Sequence, residues 1–203
     1  MKNVMKFFMA ALAAVGLLSS YVRADVTTGQ PAPEFALTDT NGAKHSLSDF
    51  KGKFIVLEWF NPDCPFVHKH YDSGNMQALQ KQYTSKGVIW LLINSSAAGK
   101  EGNYSASEFN AILKDKNATD TALLLDSKGE VGKLYGAKTT PHMFVINPDG
   151  ILIYQGAIDN KPSPDPSDIA TSKNYVRETL DSAMAGKPVE VAATKSYGCS
   201  VKY

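Results

Sequence analysis

The chain contains two cysteines, and they stand far apart in the sequence. Cys64 follows an apolar stretch and directly precedes Pro65, whereas Cys199 lies in the polar C-terminal end. A cysteine thiolate is a strong nucleophile and a soft metal ligand. In an oxidising compartment an even pair of cysteines also suggests a disulfide. The elements around the two residues decide which of these chemistries is favoured.

Cys64 stands at a predicted junction between a strand and a helix. Residues 54–60 are apolar, β-branched and aromatic, which predicts a strand buried on both faces. Residues 61–63 break this strand, and Pro65 favours the first turn of a helix. The N-terminus of a helix stabilises a thiolate, although the charge of Asp63 opposes it. We therefore predict that Cys64 is a reactive nucleophile; the alternative is a buried, inert cysteine.

The rest of the chain predicts strands alternating with helices. Residues 35–47 suggest a hairpin, residues 88–93 and 123–125 suggest strands, and Asn147-Pro148-Asp149-Gly150 is a tight turn between two more strands. Helices are expected at residues 64–83 with a break at 72–74, at 105–116 after a capping box, at 130–134 and at 172–185. The fold class is α/β: a central mixed sheet with helices on both faces and an N-terminal β-hairpin.

The first 24 residues have the pattern of a signal peptide. Lys2 and Lys6 precede an apolar run of about 12 residues, and Val22-Arg23-Ala24 fits a cleavage site. The run is short for an uncleaved membrane anchor. We expect export to the periplasm without stable membrane insertion, with a domain at 25–187 and a tail at 188–203. The formal net charge of +1 gives no support for a nucleic-acid partner.

Two segments resemble the thioredoxin-like superfamily. They are residues 54–65, which end with Cys64 and Pro65, and the later run Thr139-Thr140-Pro141-His142-Met143-Phe144-Val145-Ile146. The opening Pro31-Ala32-Pro33-Glu34-Phe35 and the turn at 147–150 are similar to the alkyl hydroperoxide reductase/thiol-specific antioxidant (redoxin, TlpA-like) group. The resemblance covers about residues 26–158 and implies a thioredoxin fold. It also implies that Pro141 is a cis-proline against the Cys64 sulfur, which leaves the Thr140 backbone free to pair with a substrate strand.

This sequence departs from the patterns of the resembled families at four positions. Thioredoxins carry a second cysteine three residues after the first, where this chain has Val67. Peroxiredoxins carry a proline and a threonine or serine where this chain has Leu57 and Asn61, and they carry a distant arginine where it has Pro141. After the predicted signal peptide the chain has a single arginine, Arg177. Asn61 can still donate one hydrogen bond, but these departures favour disulfide exchange over peroxide reduction.

Cys199 is the predicted resolving cysteine. It sits in a tail that we expect to be flexible, and Gly198 before it permits close approach to another sulfur. Similar C-terminal Gly-Cys-Ser tails occur in exported redoxin-like proteins. The alternative is a permanent structural disulfide, which would close a loop of about 135 residues and stabilise the fold by roughly 5 kcal/mol.

The sequence thus predicts an exported thiol–disulfide oxidoreductase that needs no cofactor and acts on a thiol, a disulfide protein or a peroxide. Asn61, Pro65, Thr140 and Pro141 are its supporting residues, and a membrane-linked thioredoxin-like protein is the expected reductant. The alternatives are a peroxiredoxin-like thiol peroxidase, a copper- or zinc-binding chaperone, and a redox-inert binding domain.

The chaperone alternative uses Cys64 and His68, which are four residues apart on one helix. No third ligand is evident, so no metal site is predicted. His68, Lys69, His70 and Tyr71 are expected on the helix surface. His142 is expected either near the Cys64 sulfur as an imidazolium or exposed at the start of a strand.

Overall fold

The computed structural model describes residues 26–203, and the predicted signal peptide, residues 1–24, lies outside the described residues. A seven-stranded mixed sheet has the order β2-β1-β5-β4-β3-β7-β8. The strands are β1 (Ala36–Asp39), β2 (Lys44–Ser46), β3 (Ile55–Trp59), β4 (Ile89–Asn94), β5 (Ala122–Leu125), β6 (Thr139–Thr140), β7 (His142–Ile146), β8 (Leu152–Gly156) and β9 (Cys199–Ser200). The short strands β6 and β9 form a separate antiparallel pair.

Among the described residues, five α-helices cover the sheet: α1 (Pro65–Asp72), α2 (Asn75–Thr84), α3 (Ala106–Asp115), α4 (Glu130–Tyr135) and α5 (Tyr175–Met184). Two short 3₁₀ helices span Leu47–Phe50 and Pro166–Thr171. Helices α1, α2, α3 and α5 contribute to the core on one face, and α4 contributes to the core on the other. The predicted α/β fold with helices on both faces is confirmed. None of the helices within residues 26–203 is long and apolar enough to cross a membrane.

Strand β3 brings the cysteine region together with the proline region. All five of its residues are buried, as expected for a strand with cores on both sides. It runs parallel to β4 and antiparallel to β7, with Trp59 opposite His142. The carboxyl end of β3, just before Cys64, therefore lies beside the amino end of β7, just after Thr140 and Pro141.

Two details of the helices differ from the sequence prediction. Helix α5 begins at Tyr175 rather than near residue 172, because the Asn174 side chain caps it by accepting a bond from the Arg177 N–H at 2.9 Å. The proline-rich segment before it contains the Pro166–Thr171 helix, which contacts α1. The predicted capping box of α3, formed by Ser105 and Glu108, is present.

Helix α1 is more buried than predicted. Lys69, His70 and Tyr71 were expected on its surface, but each is at most 2% exposed. The Lys69 ammonium donates to the Lys161 carbonyl at 2.8 Å and lies 3.5 Å from the Asp159 carboxylate, which is also buried. Segments far along the chain cover this face of the helix, so its local amphipathic pattern did not reveal the burial.

A carboxyl group lies in the core next to the sheet. Glu58 on β3 is fully buried and accepts hydrogen bonds from the Trp90 indole at 2.8 Å and the Tyr71 hydroxyl at 3.1 Å. The Gln80 amide donates to the same Tyr71 hydroxyl at 3.0 Å. Desolvation by burial is the largest cause that raises the pKa of Glu58, to about 8. Glu58 is therefore largely protonated at neutral pH, which avoids an unpaired charge in the core.

We expect the Glu58→Gln variant to lose a pH dependence that the wild type shows. Between about pH 4.5 and pH 8 the unfolded chain releases the Glu58 proton while the folded chain keeps it, so folding stability falls as pH rises. At roughly 1.4 kcal/mol per pH unit the loss is at most about 5 kcal/mol. Urea denaturation across this range should show the decline in the wild type and in Glu190→Gln, an exposed control. An equal decline in Glu58→Gln would contradict this assignment.

We expect Lys69→Met to destabilise the protein strongly, because it leaves the buried Asp159 carboxylate without its cation. Breaking one side of a buried ion pair costs roughly 3–5 kcal/mol. Thermal or urea unfolding measures the loss, with Lys114→Met on the exposed end of α3 as the control. The double variant Lys69→Met/Asp159→Asn should recover part of the stability. If Lys69→Met unfolds like Lys114→Met, the pair contributes nothing.

Candidate active site around Cys64

Cys64 caps the N-terminus of α1. Its carbonyl accepts bonds from the Val67 and His68 N–H groups, both at 2.9 Å, and Pro65 occupies the first helical turn. The sulfur is fully buried and donates to the Thr140 carbonyl at 2.9 Å. The helix dipole favours negative charge at this position. The Cys64 thiol is thus held between a helix start and the end of β6.

The segment after β3 is held by a neighbouring loop. The Asn61 side-chain oxygen accepts from the Asp63 N–H at 2.9 Å, and its amide donates to Glu101 at 3.3 Å. The Asp63 carboxylate accepts from the Gly102 N–H at 2.9 Å and the Tyr104 hydroxyl at 2.8 Å. These two donors compensate part of the negative charge next to Cys64. Both ends of the Asn61 amide are used to fix this segment.

The Thr140–Pro141 peptide bond is cis, the isomer that the resemblance implied. Thr140 is buried, and its carbonyl is the acceptor for the Cys64 thiol. Thr140 also stands directly opposite Cys199 in the antiparallel pair of β6 and β9. One residue therefore connects the two cysteines.

The structure brings Cys199 to Cys64 although 134 residues of chain lie between them. Both are free thiols. Burial, a hydrogen bond with Cys64 and the charge of Cys64, in that order, raise the pKa of Cys199 to about 12. Cys199 therefore keeps its proton at neutral pH while Cys64 is reduced.

The tail is ordered, which differs from the flexible segment that the sequence predicted. The Val201 N–H donates to the Lys138 carbonyl at 3.1 Å, and the Lys202 carbonyl accepts from the Ala97 N–H at 2.8 Å. The Lys202 ammonium lies 3.6 Å from Glu101, in the loop that also binds Asn61. Polar composition suggested a solvated tail, but its backbone groups find partners on the domain.

His142 does not supply positive charge to the site. Its ring packs against Phe144 with centroids 4.5 Å apart, and Phe144 belongs to the core on the other face of the sheet from Cys64. Burial lowers the pKa of His142 to about 3, so the ring is neutral. Neither the imidazolium nor the exposed position that the sequence suggested for His142 is observed.

The residues of the metal-chaperone alternative are not assembled into a cluster. His68 is 44% exposed and pairs with Asp72 at 2.8 Å. Within residues 26–203, no group of three or more histidine, cysteine, aspartate or glutamate side chains is arranged to hold a metal ion. His70 is buried and bonds Asn75 at 2.8 Å, and burial lowers its pKa to about 4.

Comparisons with known proteins place the chain in a family. A model of the AhpC/TSA family matches residues 28–155. Thiol-disulfide oxidoreductase ResA of Bacillus thuringiensis subsp. konkukian (strain 97-27) is 30% identical over 127 residues, which are 63% of this chain and 68% of that protein. The ResA of Bacillus subtilis (strain 168) is 28% identical over 128 residues, covering 63% and 66%.

Solved structures agree with this placement. An uncharacterized conserved protein from Geobacillus kaustophilus is similar with a TM-score of 0.74 and 28% identity, over 87% of this chain and 92% of that one. A putative thiol:disulfide interchange protein DsbE from Chlorobium tepidum is similar with a TM-score of 0.53 and 26% identity, over 64% and 85%. The chain belongs to the AhpC/TSA family and is an oxidoreductase of the thioredoxin-like redoxin group.

Proposed function

We propose that this protein exchanges thiols and disulfides, with Cys64 as the nucleophile and Cys199 as the resolving cysteine. The observation that carries the proposal is the register of β6 and β9, which sets Cys199 opposite Thr140, the residue whose carbonyl binds the Cys64 thiol. The relatives named thiol-disulfide oxidoreductases support the same reaction.

The reaction has two exchange steps. The Cys64 thiolate attacks one sulfur of a partner disulfide, so a mixed disulfide forms and the other partner sulfur leaves as a thiolate that takes up a proton. Cys199 then loses its proton and attacks the Cys64 sulfur. A bond between Cys64 and Cys199 forms, and the second partner thiol is released. Two electrons pass to the partner, and a separate reductant must return them.

Cys199 is protonated before Cys64 reacts, so the attack by Cys64 precedes the attack by Cys199. Two causes of its raised pKa, the hydrogen bond and the charge of Cys64, end once Cys64 is part of a mixed disulfide. The pKa of Cys199 therefore falls at that point, although burial, the largest cause, still raises it. Before that point the protonated Cys199 does not compete as a nucleophile.

Four residues support this chemistry in the proposal. Thr140 holds the Cys64 thiol through its carbonyl, and Pro141 follows it through a cis peptide bond. Pro65 starts the helix behind the sulfur, and Asn61 fastens the segment before it. Export to the periplasm and a membrane-linked thioredoxin-like reductant belong to the same proposal and rest on the pattern of residues 1–24 and on the resemblance.

Peroxide reduction has less support than disulfide exchange. Leu57, at the position of the peroxiredoxin proline, is part of the apolar core. Arg177 donates to Gln82 at 2.6 Å, between α5 and α2, rather than to the site. The Asn61 amide already binds Glu101. The groups that would polarise a peroxide are thus absent or occupied among the described residues.

We expect Cys64→Ser to lower the rate of disulfide reduction by at least about 100-fold, because the nucleophile is removed. Cys199→Ser should still attack but accumulate a mixed disulfide on Cys64, so its turnover falls by roughly ten-fold. Turnover of a disulfide peptide, with a thiol reductant present to regenerate the protein and mass spectrometry of the quenched protein, measures both effects. Ser200→Ala, next to Cys199 on β9, is the matched control. Wild-type turnover by Cys64→Ser would contradict the proposed function.

A further inference from the structure

Strand β9 of the C-terminal tail pairs with the edge of β6, next to the nucleophile Cys64. Within residues 26–203, β6 pairs with a single strand, β9 of the tail, through Thr139 opposite Ser200 and Thr140 opposite Cys199. The Cys64 side chain is fully buried in this arrangement. Because Cys64 is fully buried, a covering segment must move before a sulfur of another protein can reach it.

The Tyr197 side chain occupies a pocket, called here the Tyr197 seat, whose groups bind both its ring and its hydroxyl. Its hydroxyl donates to the buried Asp159 carboxylate, and its ring packs against Phe66 with centroids 5.8 Å apart. The Lys69 ammonium lies 5.7 Å from the centre of the same ring. Lys69 and Asp159 are each at least 98% buried, so the seat is a fixed polar site rather than a chance surface contact.

Gly198 passes through the tightest point of the groove. Its φ of 137° is one that side chains disfavour, and a Cβ there would lie 2.1 Å from the Thr140 carbonyl oxygen. This oxygen belongs to the backbone of β6, so it can move only if the strand moves with it. Only a glycine directly before the cysteine allows this strand to lie against Thr140.

Tyr203 fills a second seat beyond the cysteine. Its hydroxyl donates to the Ala137 carbonyl at 2.8 Å, and the Lys133 ammonium lies 5.3 Å from its ring centre. A Cβ at Gly132 would lie 2.5 Å from this hydroxyl oxygen. The surface is therefore shaped to accept an aromatic ring at each end of a short extended segment.

Pairing of the Thr140 backbone with a substrate strand is what the resemblance implies. Beyond it, we infer that the tail fills the peptide-binding groove formed by the Thr139–Thr140 edge and the Tyr197 seat as a substitute for the substrate, and that this seat binds a tyrosine of the substrate. The partner that fits is a disulfide-bonded protein with an extended segment carrying tyrosine two residues before its cysteine and glycine directly before it. The inference rests on the proposed function and names its substrate class. Cys64 attacks the sulfur of that cysteine, and the sulfur bonded to it leaves as a thiolate.

Displacing the tail tests whether it covers Cys64. All variants are full-length and carry Cys199→Ser, so that only Cys64 reacts. Gly198→Ala should push the tail off β6 and raise the rate of Cys64 reaction with a dithiodipyridine reagent by at least about ten-fold, since the rate scales with the accessible fraction. Gly186→Ala is the control, because its φ is also positive but nothing lies within 4 Å of a Cβ there. It should react at the parent rate.

Peptides test the chemistry of the groove. The disulfide dimer of a peptide with the sequence of residues 196–201 should react with the Cys199→Ser/Gly198→Ala protein roughly ten-fold faster than peptides carrying Tyr197→Ala or Gly198→Ala, because those lose the phenol seat or collide with Thr140. Thermal unfolding confirms that the protein variants are folded.

The outcomes separate this inference from the proposed function. Equal reagent rates for Gly198→Ala and Gly186→Ala would show that the tail does not cover Cys64. Equal rates for the three peptides would show that the groove does not select this segment. Either result overturns the inference while Cys64 remains the nucleophile. A Cys64 that reacts with no disulfide in any variant would overturn the proposed function as well.

Discussion

The backbone of Thr140 holds the two cysteines of this protein in one place. Its carbonyl accepts the Cys64 thiol, and its strand pairs with the strand that carries Cys199. Neither contact is local, since Thr140 is 76 residues from Cys64. The two cysteines therefore lie side by side only when β3 and β7 are paired in register and the tail is docked. The proposed chemistry depends on the sheet as a whole rather than on a short motif.

The surroundings of the site keep ionised groups few and paired. Glu58 is largely protonated, and His70 and His142 are neutral, because burial shifts the pKa of each toward its uncharged form. The buried charges of Lys69 and Asp159 face each other instead. The helix start, the Asp63 carboxylate with its two donors and the neighbouring cysteine are therefore the main electrostatic influences near the Cys64 sulfur.

Much of the fold was predictable from local patterns, and much of the site was not. The apolar run of β3, the proline at the start of α1 and the capping box of α3 act through nearby residues, so their signals appear in the sequence. The burial of Lys69 and the docking of β9 depend on segments far along the chain. A two-residue strand such as β9 has no periodicity of its own, so composition predicted a flexible tail. Alternate residues of a strand point to the same face of the sheet, so the pattern of β7 places His142 on the face of Phe144, away from Cys64.

The most direct test of the account is disulfide mapping after reaction with one equivalent of a disulfide peptide. The account predicts that the wild-type protein loses two hydrogens and yields a single intramolecular bond between Cys64 and Cys199. It also predicts that Cys199→Ser stops at the mixed disulfide on Cys64. A wild-type product in which Cys199 stays free, or in which it binds the peptide while Cys64 does not react, would contradict the central claim that Thr140 assembles a working pair.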